Sequence, residues 1–244
     1  ETSDRLKSHP AVTNLIKQAA NVVFEIPDDS IKPNGLRDAL LTYICHGASL
    51  PCVDFEGNQR SCVKTEHVTG LFTYTEWESR INLKSLNRKK HGLLRAYGLL
   101  KSIVSHMMQI VSESRPKVVL FSGHDKTLEY LAIALGIVSD HVVLPHYASR
   151  FVIEICRANP KSESHSVHDF YFRVLVNGKD VTQNIPFCKN SNYYSASYGD
   201  RNDEGELYRK EYKLCSIESI IRQLHEDYFA PFNSSNFKDA CAGH

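Results

Sequence analysis

The residues best suited to chemistry in this sequence are the adjacent His124 and Asp125, in the segment FSGHDKTL at 121–128. A histidine ring can donate a hydrogen bond to a phosphate oxygen, and a protonated carboxyl group can give its proton to a leaving alkoxide. Together these groups are suited to the cleavage of a phosphate monoester. His124 is therefore a candidate phosphate-binding residue and Asp125 a candidate catalytic residue.

These two residues lie between two elements that the sequence predicts. The apolar run at 117–122 is typical of a strand buried on both faces, and a helical pattern then continues through Leu128 to a stop at Gly136. Open α/β sheets bind ligands at the carboxyl ends of their strands. The N-terminal end of the following helix directs free N–H groups and a positive dipole end to the same place, which suits a phosphate.

A simpler interpretation of the same residues remains open. The sequence Ser-Gly-His-Asp at 122–125 can form a turn in which Asp125 serves only as the N-cap of the helix. Spacing alone favours such a turn over a phosphate site.

The first part of the chain has the periodicity of helices. Apolar residues recur at helical spacing over 10–24, 34–44 and about 66–114, and we expect the last stretch to be broken near Gly92. We interpret 1–114 as a mainly helical region.

The second part of the chain mixes strands and helices. Strand-like runs occur at 151–156 and 170–176, and an Asn-Gly pair closes the second with a typical hairpin turn. Ser216 is a suitable cap for a last helix. The predicted fold class is α/β, with a core at 115–244 that has too few strands for a complete sheet.

The composition excludes some classes of partner. The chain has 244 residues, 42% of them hydrophobic, and a net charge of +1 with cations and acids interspersed, so we expect no nucleic-acid partner. No apolar run approaches the roughly 20 residues that span a bilayer. The first residues resemble neither a signal peptide nor a transit peptide. We expect that such a segment was removed, or that the chain is a piece of a longer protein.

Seven cysteines in polar, loop-like sequence favour disulfides and a secretory compartment. The glycosylation sequon that begins at Asn233 agrees with that compartment. A zinc site is the alternative, and its candidate ligands are Cys45, His46, Cys52, Cys62 and His67. These residues lack the paired Cys-x-x-Cys spacing of zinc knuckles, so we predict no metal. The odd number leaves one cysteine without a partner in the chain.

Several segments resemble, in order and spacing, the C-terminal part of the histidine acid phosphatases. VVLFSGHDKTL at 118–128 is similar to the family's His-Asp signature, with Lys126 where the family usually has threonine. LPHYASRFVIEI at 144–155, FRVLVNGKDV at 172–181 and NIPFC at 184–188 resemble further segments. The resemblance covers 115–224 well, and it extends more loosely to the upstream helices as the family's cap region. It also reverses the preference for a simple turn at 122–125 in favour of a phosphate site.

The resemblance implies a phosphatase without metal or cofactor, in which His124 binds the phosphate and Asp125 protonates the leaving group. The family's nucleophile is a histidine in an Arg-His-Gly-x-Arg-x-Pro motif, which this chain lacks. We interpret the near matches at 90–92 and 45–47 as ordinary loop or helix-end residues. We therefore expect the chain to be inactive alone, and to need as its partner a missing N-terminal segment that supplies the nucleophile and the first strands.

We predict mainly structural roles for the other residues that lie near the site in sequence. We interpret Lys126 as a solvated lysine at the helix start and Arg150 as a strand-entry arginine, rather than as phosphate ligands. His146 and Tyr147 are interpreted as structural residues or as part of the pocket mouth.

Within the family, GLLRAYGLLKSIVSHM at 92–107 and the cysteine pattern are most similar to a Golgi branch that removes phosphate from xylose in the linkage region of proteoglycans. This resemblance implies a phosphorylated sugar or glycan as substrate and a location in the Golgi lumen or outside the cell. Membrane attachment would occur only through an N-terminal anchor absent from this chain. The alternative is an inactive truncated isoform or paralogue that serves as a binding or regulatory module.

The disulfide hypothesis that accompanies this resemblance has three bonds. They are Cys52–Cys62, Cys188–Cys215 and Cys45–Cys156. Cys241 would then reach into the missing N-terminal half.

Overall fold

The computed structural model describes residues 9–24, 32–55, 59–137, 145, 147–159, 166–189, 193–201 and 205–242. The chain forms two compact units, 1–84 and 85–244. Helices and strands occur together, so the predicted α/β class is confirmed. The two compact units do not show which part of the chain is a cap region and which is a phosphatase core. The boundary that we predict between residues 114 and 115 therefore remains a prediction. Among the described residues, no helix has both the length and the apolar character needed to cross a membrane.

The first unit has three helices and a short antiparallel hairpin among its described residues. They are α1 (Pro10–Phe24), α2 (Pro33–Cys45), β1 (Cys52–Phe55), β2 (Gln59–Cys62) and α3 (Thr65–Lys84). The helices predicted at 10–24 and 34–44 are confirmed, the first with the same bounds. Their apolar faces meet in a small core in which Leu36, Leu40 and Leu71 are fully buried.

The second unit combines helices with an antiparallel sheet. Its described elements are α4 (Leu86–Glu113), α5 (Asp125–Leu135), β3 (Phe151–Arg157), β4 (Phe170–Val176), β5 (Lys179–Asp180), α6 (Pro186–Lys189), β6 (Tyr194–Arg201), β7 (Leu207–Ser216), α7 (Ile217–Arg222) and α8 (Phe237–Ala242), with short 3-10 turns and a π-helical turn at 223–227. The strands lie in the order β3-β4-β7-β6, and β5 pairs with β4.

Strand β4 shows how the sheet acquires a core face. Phe170, Phe172, Val174 and Val176 are buried at every second position, because successive side chains of a strand point to opposite faces. They belong to one apolar core together with buried residues of α4 and α5. The strand predicted at 170–176 is therefore confirmed with the same bounds.

The turn after β4 is also confirmed. Asn177 and Gly178 have φ angles of 51° and 85°, as the two central residues of a type I′ hairpin turn require. The chain then returns as β5, which pairs with the end of β4.

The long helical stretch breaks at Ser85, and the break predicted near Gly92 is wrong. Ser85 has an extended backbone between α3 and α4, with φ −66° and ψ 131°. Gly92 lies inside α4, where a Cβ atom would lie 2.5 Å from Cδ1 of Ile133 in α5. The glycine therefore marks a close helix contact and not a helix end.

The strand predicted at 117–122 is also wrong. This segment is irregular, and Val118 and Leu120 are 83% and 90% exposed. An apolar run forms a buried strand only when neighbouring strands satisfy its backbone hydrogen bonds and other layers cover its faces. Within the described residues, the sheet consists of β3 to β7, and none of these strands pairs with 117–122.

Candidate active site

The predicted site residues lie where the irregular chain enters α5. His124 is the N-cap, with an extended backbone (φ −97°, ψ 169°), and Thr127 Oγ1 accepts a hydrogen bond from its N–H at 3.3 Å. Gly123 lies close to the same threonine, since a Cβ atom at position 123 would be 3.1 Å from Thr127 Oγ1. These contacts hold the turn in front of the helix.

Asp125 is the first residue of α5, and the N-cap is His124, so the simpler turn interpretation is wrong about which residue caps the helix. Its Oδ1 accepts a hydrogen bond from the backbone N–H of Lys126 at 2.7 Å. Both His124 and Asp125 are exposed to solvent. The junction thus presents an imidazole and a carboxyl group together at the positive end of a helix dipole.

An ion-pair cluster lies one turn further along α5, centred on Glu129, of whose side chain only 5% is exposed. Glu129 Oε1 accepts hydrogen bonds from Nε of Arg88 at 3.0 Å and from its Nη2 at 2.5 Å. Glu129 Oε2 accepts a hydrogen bond from Nζ of Lys126 at 2.6 Å. Lys126 lies at the helix start as predicted, but its ammonium group binds a carboxylate instead of remaining only solvated.

Arg88 and Glu129 are residues that sequence reasoning missed. The spacing of three residues between Lys126 and Glu129 on a helix is a signal that could have indicated their pairing. No local pattern connects Arg88 with Glu129, because 41 residues separate them along the chain. The close approach of α4 and α5 brings the two together.

Two aromatic rings extend this polar cluster. The rings of His91 and Tyr130 meet edge to face with centroids 5.6 Å apart, and the Tyr130 hydroxyl lies 3.5 Å from Nε2 of His91. The guanidinium carbon of Arg88 lies 5.8 Å from the Tyr130 ring centroid. His91 belongs to one near match of the nucleophile motif and lies within α4; His46, of the other near match, caps α2 in the first unit.

The remaining residues near the site in sequence lie at the entry to β3. Arg150 is exposed, and its backbone N–H donates a hydrogen bond to Oδ1 of Asn177 at 2.9 Å. This contact agrees with the strand-entry role that we predicted. Tyr147 is 59% exposed, and His146 lies outside the described residues.

Two of the three predicted disulfides are present, Cys52–Cys62 and Cys188–Cys215. The first joins the strands of the β1–β2 hairpin, and the second joins α6 to β7. The alternative zinc site is wrong in the form considered, because two of its five candidate ligands are bonded to each other.

The third predicted disulfide, Cys45–Cys156, is wrong. Cys45 is exposed and forms no disulfide in the part of the chain that the structure describes. Cys241 is likewise exposed and outside any disulfide there. Its bond to a missing segment therefore stays a prediction.

Comparison with known proteins identifies relatives of this chain. No protein-family model and no solved structure matches it. The 2-phosphoxylose phosphatase 1 of Mus musculus is 28% identical over 225 residues, which are 91% of this chain and 41% of that protein. The protein of the same name from Rattus norvegicus is 27% identical over 224 residues, and that from Homo sapiens 25% over 222 residues.

The matches cover a much larger share of this chain than of its relatives. They cover about nine tenths of this chain, which spans about two fifths of the length of the curated relatives it matches. The resemblance read from the sequence is thereby confirmed, and the chain is a relative of the 2-phosphoxylose phosphatases.

Proposed function

We propose that the full-length protein is a phosphomonoesterase of the histidine acid phosphatase type that removes phosphate from a sugar. The proposed substrate class is 2-phosphoxylose in the glycosaminoglycan linkage region, which rests on the name of the relatives. The observation that carries the proposal is the placement of His124 and Asp125 side by side at the exposed start of α5.

In the proposed reaction, a histidine from outside this chain attacks the phosphorus atom. The N–P bond forms as the bond from phosphorus to the sugar oxygen breaks, and Asp125 gives its proton to the leaving oxygen. Asp125 then takes a proton from water as that water cleaves the phosphohistidine. His124 donates a hydrogen bond to a phosphate oxygen throughout, with the positive end of the α5 dipole beside it.

The proposal requires a further segment because the 244 residues contain no Arg-His-Gly-x-Arg-x-Pro motif. The exposed apolar segment Val118–Phe121, directly before the site, supports this requirement. Such residues become favourable in a folded protein when another element covers them. We propose that the segment carrying the nucleophile pairs with this stretch and converts it into a strand.

A lumenal or extracellular location belongs to the same proposal. The two disulfides are typical of proteins that fold in an oxidising compartment. The sequon asparagine, Asn233, lies on an exposed turn that a glycan could reach.

The decisive experiment replaces Asp125 in the full-length protein. Asp125→Asn keeps the shape of the side chain but cannot donate a carboxyl proton, so we expect kcat to fall by about 10²- to 10⁴-fold. The release of phosphate from a 2-phosphoxyloside measures this change. Asp38→Asn, at an exposed position of α2, is the control and should leave the rate unchanged. An unchanged rate in Asp125→Asn removes this residue from the mechanism.

The second candidate function is a binding or regulatory module without catalysis, which the lack of a nucleophile motif in this chain favours. The coding sequence upstream of Glu1 discriminates between the two. An Arg-His-Gly-x-Arg-x-Pro motif there supports the enzyme. If the motif is missing and the full-length protein binds a phosphorylated xyloside without releasing phosphate, the module is the better description.

A further inference from the structure

We infer that Glu129 is a positioning residue, whose buried carboxylate joins Arg88 of α4 to Lys126 of α5 and thereby fixes the direction in which His124 and Asp125 face. This inference rests on the proposed phosphatase function. Glu129 acts through the first turn of α5 and need not touch the substrate.

The geometry of the cluster leaves little freedom to its members. Both oxygens of Glu129 accept hydrogen bonds, one from two nitrogens of Arg88 and the other from Lys126. The exposed fractions of the side chains are 5% for Glu129, 30% for Arg88 and 47% for Lys126. A carboxylate this buried is unfavourable unless hydrogen-bonded cations match its charge. The three side chains therefore hold one another in one arrangement.

The cluster completes a contact line between the two helices. Arg88 and Gly92 are four residues apart on α4, and Glu129 and Ile133 are four residues apart on α5, so each pair lies on one helix face. Gly92 lies against Ile133 near the C-terminal end of α5. Arg88 with Glu129 adds a charged contact, one turn nearer to the catalytic end, to the apolar packing of Leu131, Ala132 and Leu135. This contact restrains the start of the helix, which the apolar packing further along does not reach.

Small rotations matter at this site because of where its residues lie. His124 and Asp125 occupy the N-cap and the first position of a helix of only 11 residues. Successive residues of a helix point in directions about 100° apart around its axis. Proton transfer requires donor and acceptor atoms about 2.6–3.2 Å apart. A modest turn of α5 would therefore move the carboxyl group out of reach of the leaving oxygen.

Glu129 has a second effect on the proton donor. It binds the ammonium group of Lys126, the residue next to Asp125. If this ammonium group paired with Asp125 instead, it would favour the ionised carboxylate, which cannot donate a proton. Loss of Glu129 should therefore impair proton donation more than phosphate binding.

The test compares two substrates in the full-length protein. The phenolate of p-nitrophenyl phosphate leaves with little proton donation, whereas the alkoxide of glycerol 2-phosphate needs it. Glu129→Gln keeps the size of the side chain and removes its charge. We expect kcat/KM to fall at least ~10-fold further for glycerol 2-phosphate than for p-nitrophenyl phosphate, because a proton donor contributes ~10²- to 10⁴-fold only where it is needed.

A second variant and a matched control complete the design. Arg88→Lys keeps every charge but loses the paired contact to Oε1 of Glu129. It should therefore show the same selective loss on a smaller scale. If Glu129→Gln does not fold, Arg88→Lys serves as the test. Glu76→Gln breaks the Arg80–Glu76 ion pair of α3, 2.8 Å long, and should change neither rate.

The outcomes separate the inference from the function on which it rests. A loss that is equal for both substrates overturns the inference, because a smaller folded fraction lowers both rates alike. Unchanged rates in Glu129→Gln overturn it too. If the wild-type protein hydrolyses neither of these substrates nor a 2-phosphoxyloside, the proposed function fails and the inference fails with it.

Discussion

At the scale of single residues, Tyr228 shows how one buried polar group ties together distant parts of the second unit. It is 1% exposed, and its hydroxyl donates a hydrogen bond to the carbonyl oxygen of Leu93 at 2.7 Å, across 135 residues of sequence. Burial raises the pKa of the Tyr228 hydroxyl, and the neighbouring Tyr97 adds to the rise. The folded protein therefore holds this proton more tightly than the unfolded chain does.

The Tyr228→Phe variant tests this description through stability. At neutral pH we expect its free energy of unfolding to be about 1 kcal/mol lower, because Leu93 loses its donor. The extra stability linked to the raised pKa of Tyr228 is present below the unfolded value of about 10 and is lost above it. Wild-type stability should thus fall more steeply than that of the variant above about pH 10.

Urea unfolding at pH 7 and in a series from pH 9 to 11 measures both effects. Tyr147→Phe is the matched control, because that tyrosine is 59% exposed, and it should behave like the wild type at every pH. Parallel pH profiles of wild type and Tyr228→Phe would contradict the assigned role.

At the scale of elements, the approach of α4 to α5 carries the site. Gly92 permits the approach, and the Arg88–Glu129 ion pair fixes it beside the start of α5. The proposed site residues, His124 and Asp125, contribute little to this packing themselves, because both are exposed. Their geometry is therefore set by residues that do not react.

Two glycines of α4 provide a matched pair for testing this packing. Gly92→Ala places a Cβ atom against Ile133, and we expect a loss of about 1–3 kcal/mol from overpacking, reduced by the helix propensity of alanine. Gly98→Ala has open space around it, so stability should rise by about 0.5–1 kcal/mol.

Thermal unfolding of both variants measures the two changes. Shortening the opposing side chain with Ile133→Val should recover part of the loss in Gly92→Ala. Equal stabilisation by both alanines would show that the helices do not meet at Gly92.

The two disulfides should differ in their effects on stability. Cys188–Cys215 joins cysteines 27 residues apart that are fully buried, whereas Cys52–Cys62 spans only 10 residues. Since a longer closed loop restricts the unfolded chain more, we expect paired alanine replacements to cost about 3.5 kcal/mol and about 2.7 kcal/mol, respectively. Urea unfolding of the two double variants measures this order, and the reverse order would contradict it.

At the scale of the whole molecule, Val118–Phe121 is an apolar segment that the described helices and strands leave largely exposed to solvent. Val118, Leu120 and Phe121 are 83%, 90% and 46% exposed. The ring of Phe121 meets that of His106 in α4, with centroids 5.9 Å apart. This contact holds one end of the segment near α4, and the rest is the exposed apolar stretch that we propose the missing segment covers.

Leu120→Asp tests whether the full-length protein covers this segment. Burial of an unpaired charge is strongly unfavourable, so we expect phosphatase activity of the full-length protein to fall by at least ~10-fold. In this chain alone, the same replacement lies in solvent and should change the free energy of unfolding by less than ~0.5 kcal/mol.

The control for this prediction is Leu207→Asp on β7, where the leucine is 72% exposed. We expect that replacement to have little effect on either protein. If Leu120→Asp leaves the activity of the full-length protein intact, the proposed strand pairing at this segment is wrong.

The sequence by itself determined those features that depend on near neighbours along the chain. The bounds of α1 and β4 follow from apolar periodicity, and the hairpin turn follows from an Asn-Gly pair that accepts positive φ angles. Helix α7 begins as predicted after Ser216, whose Oγ accepts a hydrogen bond from the N–H of Glu218 at 3.2 Å, but it is not the last helix because α8 follows it. The presence of an imidazole beside a carboxyl group at His124 and Asp125 was equally predictable, because the two residues are adjacent in sequence.

Only the tertiary structure decided the features that depend on groups far along the chain. Whether 117–122 forms a strand depends on the strands available to pair with it, and no residue within the segment encodes them. The reason why a glycine at position 92 lies inside a helix is its close contact with Ile133, and only the tertiary structure shows that contact. Likewise, Arg88 and Glu129 form an ion pair because packing of two apolar helix faces brings them together, and neither residue signals the other.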